Sequence, residues 1–174
     1  MRILESGGVE IPVRASNIAR LFYTQEFGET LDGSLIKIKA EAAETAVITD
    51  LLQIIWAMNK AENMYCKKST PTFSQWLERY RAFDVNDCAA ELFEEIRQGF
   101  MYQSVKNDSN EKEDPKLPQL VITIALKMGM DLDGLNELTT QSLIDIFKLH
   151  AGEKSGKESR RFATPSEISG YYGK

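Results

Sequence analysis

The chain has almost none of the residues that metal and redox chemistry draw on: one histidine, His150, and two cysteines, Cys66 and Cys88, in 174 residues. A closed zinc site needs four nitrogen or sulfur ligands at short spacings, and no CxxC pair occurs, so structural zinc is not expected. Two isolated cysteines make no disulfide framework either; both read as buried small hydrophobes in a reducing compartment. His150 falls at the end of an apolar helical stretch with no neighbour to act as base or co-ligand. A helix C-terminus favours a cation, so its expected role is structural.

Positive charge is also short. Lysine and arginine total 21 against 26 aspartates and glutamates, a net charge of −5 and an isoelectric point near 5.1. That balance argues against nucleic acid as the general partner, because phosphate binding needs a basic face or stripe. Long apolar runs are missing as well. The stretch Val47 to Met58 is interrupted by Thr49, Asp50 and Gln53 and is too short to span a membrane. Met1 to Val13 carries Glu5 and Glu10, unlike a signal peptide. The expectation is a cytoplasmic protein with no membrane partner.

Catalytic signatures are absent too: no phosphate-cradling glycine loop with its lysine, no GxGxxG, no GxSxG. Met130 to Glu137 faintly suggests a calcium loop, but Gly134 follows Asp133 directly, where a further ligand would be needed. Turn and cap chemistry explains it better. The pairs Glu94-Glu95 and Glu41/Glu44 read as solvated helix faces. No catalytic residue, cofactor or metal is therefore expected.

What the chain does have is 43% hydrophobic residues, enough at this length for one cored domain with a small appended piece. Its expected fold is mainly α, a helical bundle-like domain with a small N-terminal β-hairpin. Ile3 and Leu4 precede Gly7-Gly8, after which Val9, Ile11 and Val13 alternate with other residues, the mark of a hairpin with one buried face. Such a hairpin is marginal alone and must lie on something. A helix follows from about Ser16, with Ile18, Leu21 and Phe22 on one side and Gly28 as its stop. Leu31 to Lys39 is ambiguous: Ile36 and Ile38 alternate like a strand, whereas Leu31 and Leu35 suit a helix.

The strongest helix runs from about Glu41 to Tyr65. Val47, Leu51, Ile54, Ile55 and Met58 mark its apolar face, and Ile48, Leu52 and Trp56 widen it, as in a central helix touched on several sides. Thr70 or Thr72 caps the next helix, with Pro71 at its first position. There Phe73, Trp76, Leu77 and Tyr80 fall at i, i+3, i+4 and i+7, a core stripe. Asp84 caps a helix reaching about Tyr102, with Cys88, Leu92, Ile96 and Phe100 near one face. Val105 to Lys116 is charged and lacks aromatics, a mobile loop in prospect. Leu117 to Met130 forms a helix around Leu120, Val121, Ile124, Ala125 and Met128, stopped by Gly129. Asp131 to Leu138 is a turn or short helix. Thr139 or Thr140 caps a helix with Leu143, Ile144 and Phe147 inside.

The organisation expected is residues 1–104 as hairpin plus helical core, 105–116 as the loop, 117–152 as a helical extension of the core, and 153–174 as a basic linker with a short C-terminal helix. Thr164, Pro165 and Glu167 form a capping box and N1 proline. Ile168, Tyr171 and Tyr172 give that helix an apolar side, and Arg160 and Arg161 close the basic run before it. These five residues are the candidate protein-binding site, since so short a helix must dock to persist. The bland alternative is docking on its own domain.

Several segments together resemble the tail assembly chaperones of long-tailed, non-contractile phages and prophages of Gram-positive bacteria. They are the hairpin with Leu21-Phe22-Tyr23-Thr24-Gln25-Glu26-Phe27-Gly28, then Ile54-Ile55-Trp56-Ala57-Met58, then Pro71-Thr72-Phe73-Ser74-Gln75-Trp76-Leu77. The last are Ala125-Leu126-Lys127-Met128-Gly129-Met130, Leu135-Asn136-Glu137-Leu138-Thr139 and Leu143-Ile144. Each is a packing pattern, and their order along most of the chain carries the likeness. The resemblance implies a small helical protein that coats and solubilises the tape measure protein and recruits tail tube protein subunits. It transfers no binding residues, and it leaves self-association open. The alternatives are a helical regulatory or scaffold module, touching nucleic acid through its basic C-terminal segment, and a carboxylate-dependent enzyme.

Overall fold

The computed structural model describes residues 1–40, 45–101 and 117–153. Strands β1 (Arg2–Ser6) and β2 (Val9–Val13) are followed by helices α1 (Asn17–Phe27), α2 (Leu31–Ala40), α3 (Thr45–Tyr65) and α4 (Phe73–Arg79). A 3-10 turn (Val85–Cys88) leads into α5 (Ala89–Gly99), and α6 (Leu117–Lys127), α7 (Leu132–Glu137) and α8 (Thr140–Glu153) complete the order. The class is mainly α with a small antiparallel hairpin, as the hydrophobic periodicities require.

The hairpin register pairs Ser6 with Val9, Leu4 with Ile11 and Arg2 with Val13. Gly7 and Gly8 hold φ of +57° and +75°, the two positive values of the tight turn whose twist matches the strands. Leu4, Ile11 and Val13 are fully buried beneath it. In α2 the helical period wins over the alternating one. Leu31, Ser34 and Ile38 are buried while Ile36 is exposed, and the Thr30 hydroxyl accepts from the Gly33 amide at 3.2 Å.

Helix α3 is the centre. Ile54, Ile55, Trp56, Ala57, Met58 and Ala61 are sealed from solvent, so five successive residues face neighbours and the helix is surrounded on several sides. Val47, Phe73 and Leu77, expected deep, sit half-buried at its margin. Thr72 rather than Thr70 caps α4, in a capping box with Gln75. Pro71 thus precedes the cap instead of opening the helix, and its carbonyl accepts from the Trp56 indole at 3.1 Å. Asp84 caps the 3-10 turn, accepting from the Asn86 amide at 2.9 Å. The regular helix after it ends at Gly99, short of the expected Tyr102. The Thr139 hydroxyl accepts from the Ser142 amide at the start of α8.

Gly99 lies where α5 presses on the link between hairpin and α1. A Cβ there would stand 2.0 Å from the Ala15 carbonyl oxygen and 2.4 Å from the Ala15 Cβ. Backbone cannot yield as a side-chain tip does, so Gly99→Ala is expected at or above the top of the usual ~1–3 kcal/mol overpacking range. Urea unfolding of the variant measures it; an unchanged midpoint would show that α5 does not sit this close.

The helices of 117–153 carry a second, smaller apolar cluster of Val121, Ile122, Ala125, Leu135, Leu143 and Ile144, and Leu21 of α1 packs against both clusters. Polar bonds fasten the two. Ser16 donates to Asn136, and Asn17 to the Leu138 carbonyl, both at 2.6 Å. Asn136 donates to the Ala61 carbonyl at 3.1 Å.

Candidate functional site

The sequence-predicted binding residues Arg160, Arg161, Ile168, Tyr171 and Tyr172 lie outside the described residues, as do the loop at 105–116, Glu41 and Glu44, and the side chain of His150. Among the described residues no three His, Cys, Asp or Glu side chains converge as metal ligands, and no helix is long and apolar enough to cross a membrane.

Two expectations about single residues are corrected. Cys66 is exposed, not buried; it follows the last turn of α3, beyond the apolar face. Its thiol bonds to Glu62, which holds its pKa above the ordinary value and away from the reactive thiolate. Cys88 is buried, and its thiol is pushed up by burial and by the nearby carboxylates Glu91, Asp87 and Asp84. Glu94 and Glu95 do not form one solvated face. Glu94 is held down at about 2 by hydrogen bonds from Arg97 and Gln98. Glu95 turns inward and accepts from the Ala15 amide at 3.1 Å.

The most elaborate polar arrangement centres on Arg20, whose side chain is 1% exposed. Its Nε and Nη2 donate to the two Asp32 oxygens at 2.9 Å each, its Nη2 also donates to the Phe100 carbonyl at 2.8 Å, and its Nη1 donates to the Thr140 hydroxyl. The Thr140 hydroxyl donates onward to Asn17 at 3.0 Å. Every arm ends on protein, so the cluster joins α1, α2, the end of α5 and α8 and has no spare group for a substrate. Tyr23 is closed in the same way, bonding to Ser34 at 2.8 Å and Gln53 at 3.0 Å.

Burial raises the Tyr23 phenol above its ordinary 10.0. The stability tied to its neutral form is therefore complete below pH 10 and is lost as pH rises through the folded-state value, because the unfolded chain releases that proton first. Tyr23→Phe is expected to flatten the alkaline limb of a stability–pH curve above about pH 10, while lowering stability at pH 7 by ~1–2 kcal/mol through the lost bonds. An alkaline limb of unchanged slope would remove Tyr23 from that role.

Surface apolar groups form the more suggestive feature. On α8, Leu143, Ile144 and Phe147 face the second cluster, whereas Ile146 at the flank of that face and Leu149 beyond it are 41% and 69% exposed. Met128 and Leu132, flanking the α6–α7 turn, are 56% and 45% exposed, and Leu126 is exposed beside them. A separate groove of about 470 Å³ runs between β1 and the 3-10 turn with α5, lined by Ile3, Glu5, Ser6, Gly7, Asp87, Cys88 and Glu91.

No protein-family model, no curated protein and no solved structure matches this chain.

Proposed function

We propose that this chain is a protein-binding chaperone of the phage tail assembly type, which masks the apolar face of a long tape measure helix and delivers tail tube subunits to it. The ordered set of segments that resembles that family motivates the reading. The observation that carries it is the exposed pair Ile146 and Leu149 on α8, with Leu126, Met128 and Leu132 exposed around the α6–α7 turn. Ile146 and Leu149 stand three apart in solvent on one side of α8, where an amphipathic helix from a partner would find i, i+3 anchors.

Co-expression with a phage tape measure protein, the partner that the resemblance implies, tests this. The partner should move from the pellet to the soluble fraction with the natural chain and stay in the pellet with Ile146→Asp combined with Leu149→Asp. Both positions face solvent, so the variant should fold. Equal solubilisation by both chains would remove α8 as the binding face. No solubilisation by either would remove the function.

A further inference from the structure

The two edges of the hairpin are treated differently. A two-residue turn makes Ser6↔Val9 a hydrogen-bonded pair, and pairs alternate from there. In the observed register the backbone groups of Arg2, Leu4 and Ser6 therefore point at β2, and those of Ile3 and Glu5 point outward. The other strand confirms the phase. Pro12, opposite Ile3, has no N–H and sits at an outward position, where proline leaves the ladder intact. Its carbonyl accepts from Asn59 of α3 at 2.8 Å, and the Arg14 amide donates to the Met58 carbonyl at 3.1 Å. The outer edge of β2 is thus closed by α3. Among the described residues no hydrogen bond reaches the outward N–H or C=O of Ile3 or Glu5 on β1. The groove lies along this open edge.

Its charge is one-sided. Glu5, Asp87 and Glu91 line it, and none of them is in an ion pair among the described residues. Glu5 stands directly opposite Glu10 across the ladder, both exposed, at the non-hydrogen-bonded type of position where side chains come closest and like charges repel. Arg2 of the same strand pairs with Glu95 at 3.6 Å. Ile3 adds a half-exposed apolar step between the carboxylates and the N-terminus.

We propose that the outer edge of β1 is a strand-addition site that takes an extended, basic segment of a partner protein. The backbone of Ile3 and Glu5 supplies the ladder, as in other strand-addition complexes. Lysines or arginines on alternate residues of the incoming strand lie on the face of Glu5 and Glu10, and the groove carboxylates Asp87 and Glu91 add to the negative field that draws a basic segment. A second copy presenting its own β1 is disfavoured, because it would bring a second set of the same carboxylates to the groove. This site is separate from the α8 face and does not depend on the chaperone reading.

The probe is a fluorescent ten-residue peptide of alternating valine and lysine, titrated at low salt against the full chain. Three comparisons accompany it: the same peptide with glutamate for lysine, the lysine peptide with alternate backbone nitrogens methylated, and the protein variants Ile3→Pro and Ile3→Thr. Ile3→Pro removes an outward N–H without changing charge, as Pro12 does on the other strand. The lysine peptide should bind, the glutamate peptide should not, and both methylation and Ile3→Pro should weaken binding at least tenfold, with Ile3→Thr within threefold of the natural chain. Should Ile3→Pro lose its helical circular dichroism, the methylated peptide decides alone. Absent binding of the lysine peptide, equal binding of its methylated form, or concentration-dependent dimerisation that Ile3→Pro abolishes would each overturn the proposal.

Discussion

Arg20→Ala is expected to lower the unfolding free energy by about 3–5 kcal/mol, the range for breaking a buried ion pair from one side. The size follows from what is left behind. Asp32 loses both arms of a fork at 2.9 Å, and the Phe100 carbonyl loses its 2.8 Å donor. The Phe100 ring also loses the guanidinium 4.7 Å from its centre. Arg20→Lys should recover little, since an ammonium is a point charge and cannot fork to Asp32 while reaching Phe100 and Thr140. Replacing both partners, Arg20→Met with Asp32→Leu, should recover a substantial part, because no unpaired carboxylate then remains. Urea titrations of the three variants check this. A loss below about 1 kcal/mol for Arg20→Ala would mean that α8 is not held on α1 through this cluster.

The second large effect is at Trp76. Its indole is fully buried, stacks on Phe73 at 6.3 Å and tilts against Tyr80 at 5.0 Å. Trp76→Ala combines lost transfer energy with a cavity, about 3–5 kcal/mol. The side chain also has a polar end: Nε1 donates to Asn59 at 3.2 Å, and Asn59 in turn holds Pro12 of the hairpin. Trp76→Phe should therefore still lose ~1–2 kcal/mol with much of the packing kept, and Asn59→Leu in the Phe background should add less than it does alone. Strict additivity of those two changes would separate the indole from the hairpin.

Much of the fold was legible because its signals are local. The turn glycines, the apolar stripe of α3, the Trp76 helix and the caps at Thr72 and Asp84 all sit within a few residues of what they specify. Leu31 to Ala40 shows the limit: Ile36 and Ile38 alternate, and only burial of Leu31, Ser34 and Ile38 decides for the helix. Arg20 was illegible. Its partners at Asp32, Phe100 and Thr140 lie 12, 80 and 120 residues away, and an arginine in an amphipathic helix reads as surface. Glu95 was misread for the same reason. Of the candidate sites, the α8 face is half visible in the sequence: Leu143, Ile144 and Phe147 mark the packed side, while only the structure shows Ile146 and Leu149 in solvent. The β1 edge was missed although Pro12 signalled it: proline within a strand marks an outward position, and the parity of the register then exposes Ile3 and Glu5.

The central claim is that the chain acts by binding a partner's helix on α8. Backbone hydrogen exchange of the full chain, with and without a soluble amphipathic fragment of a phage tape measure protein, tests it most directly. Slower exchange over 140–150, together with loss of that protection in Ile146→Asp/Leu149→Asp and no change at 54–61 within the sealed core, is the predicted result. Exchange unchanged along α8 in the presence of a fragment that demonstrably binds would contradict it.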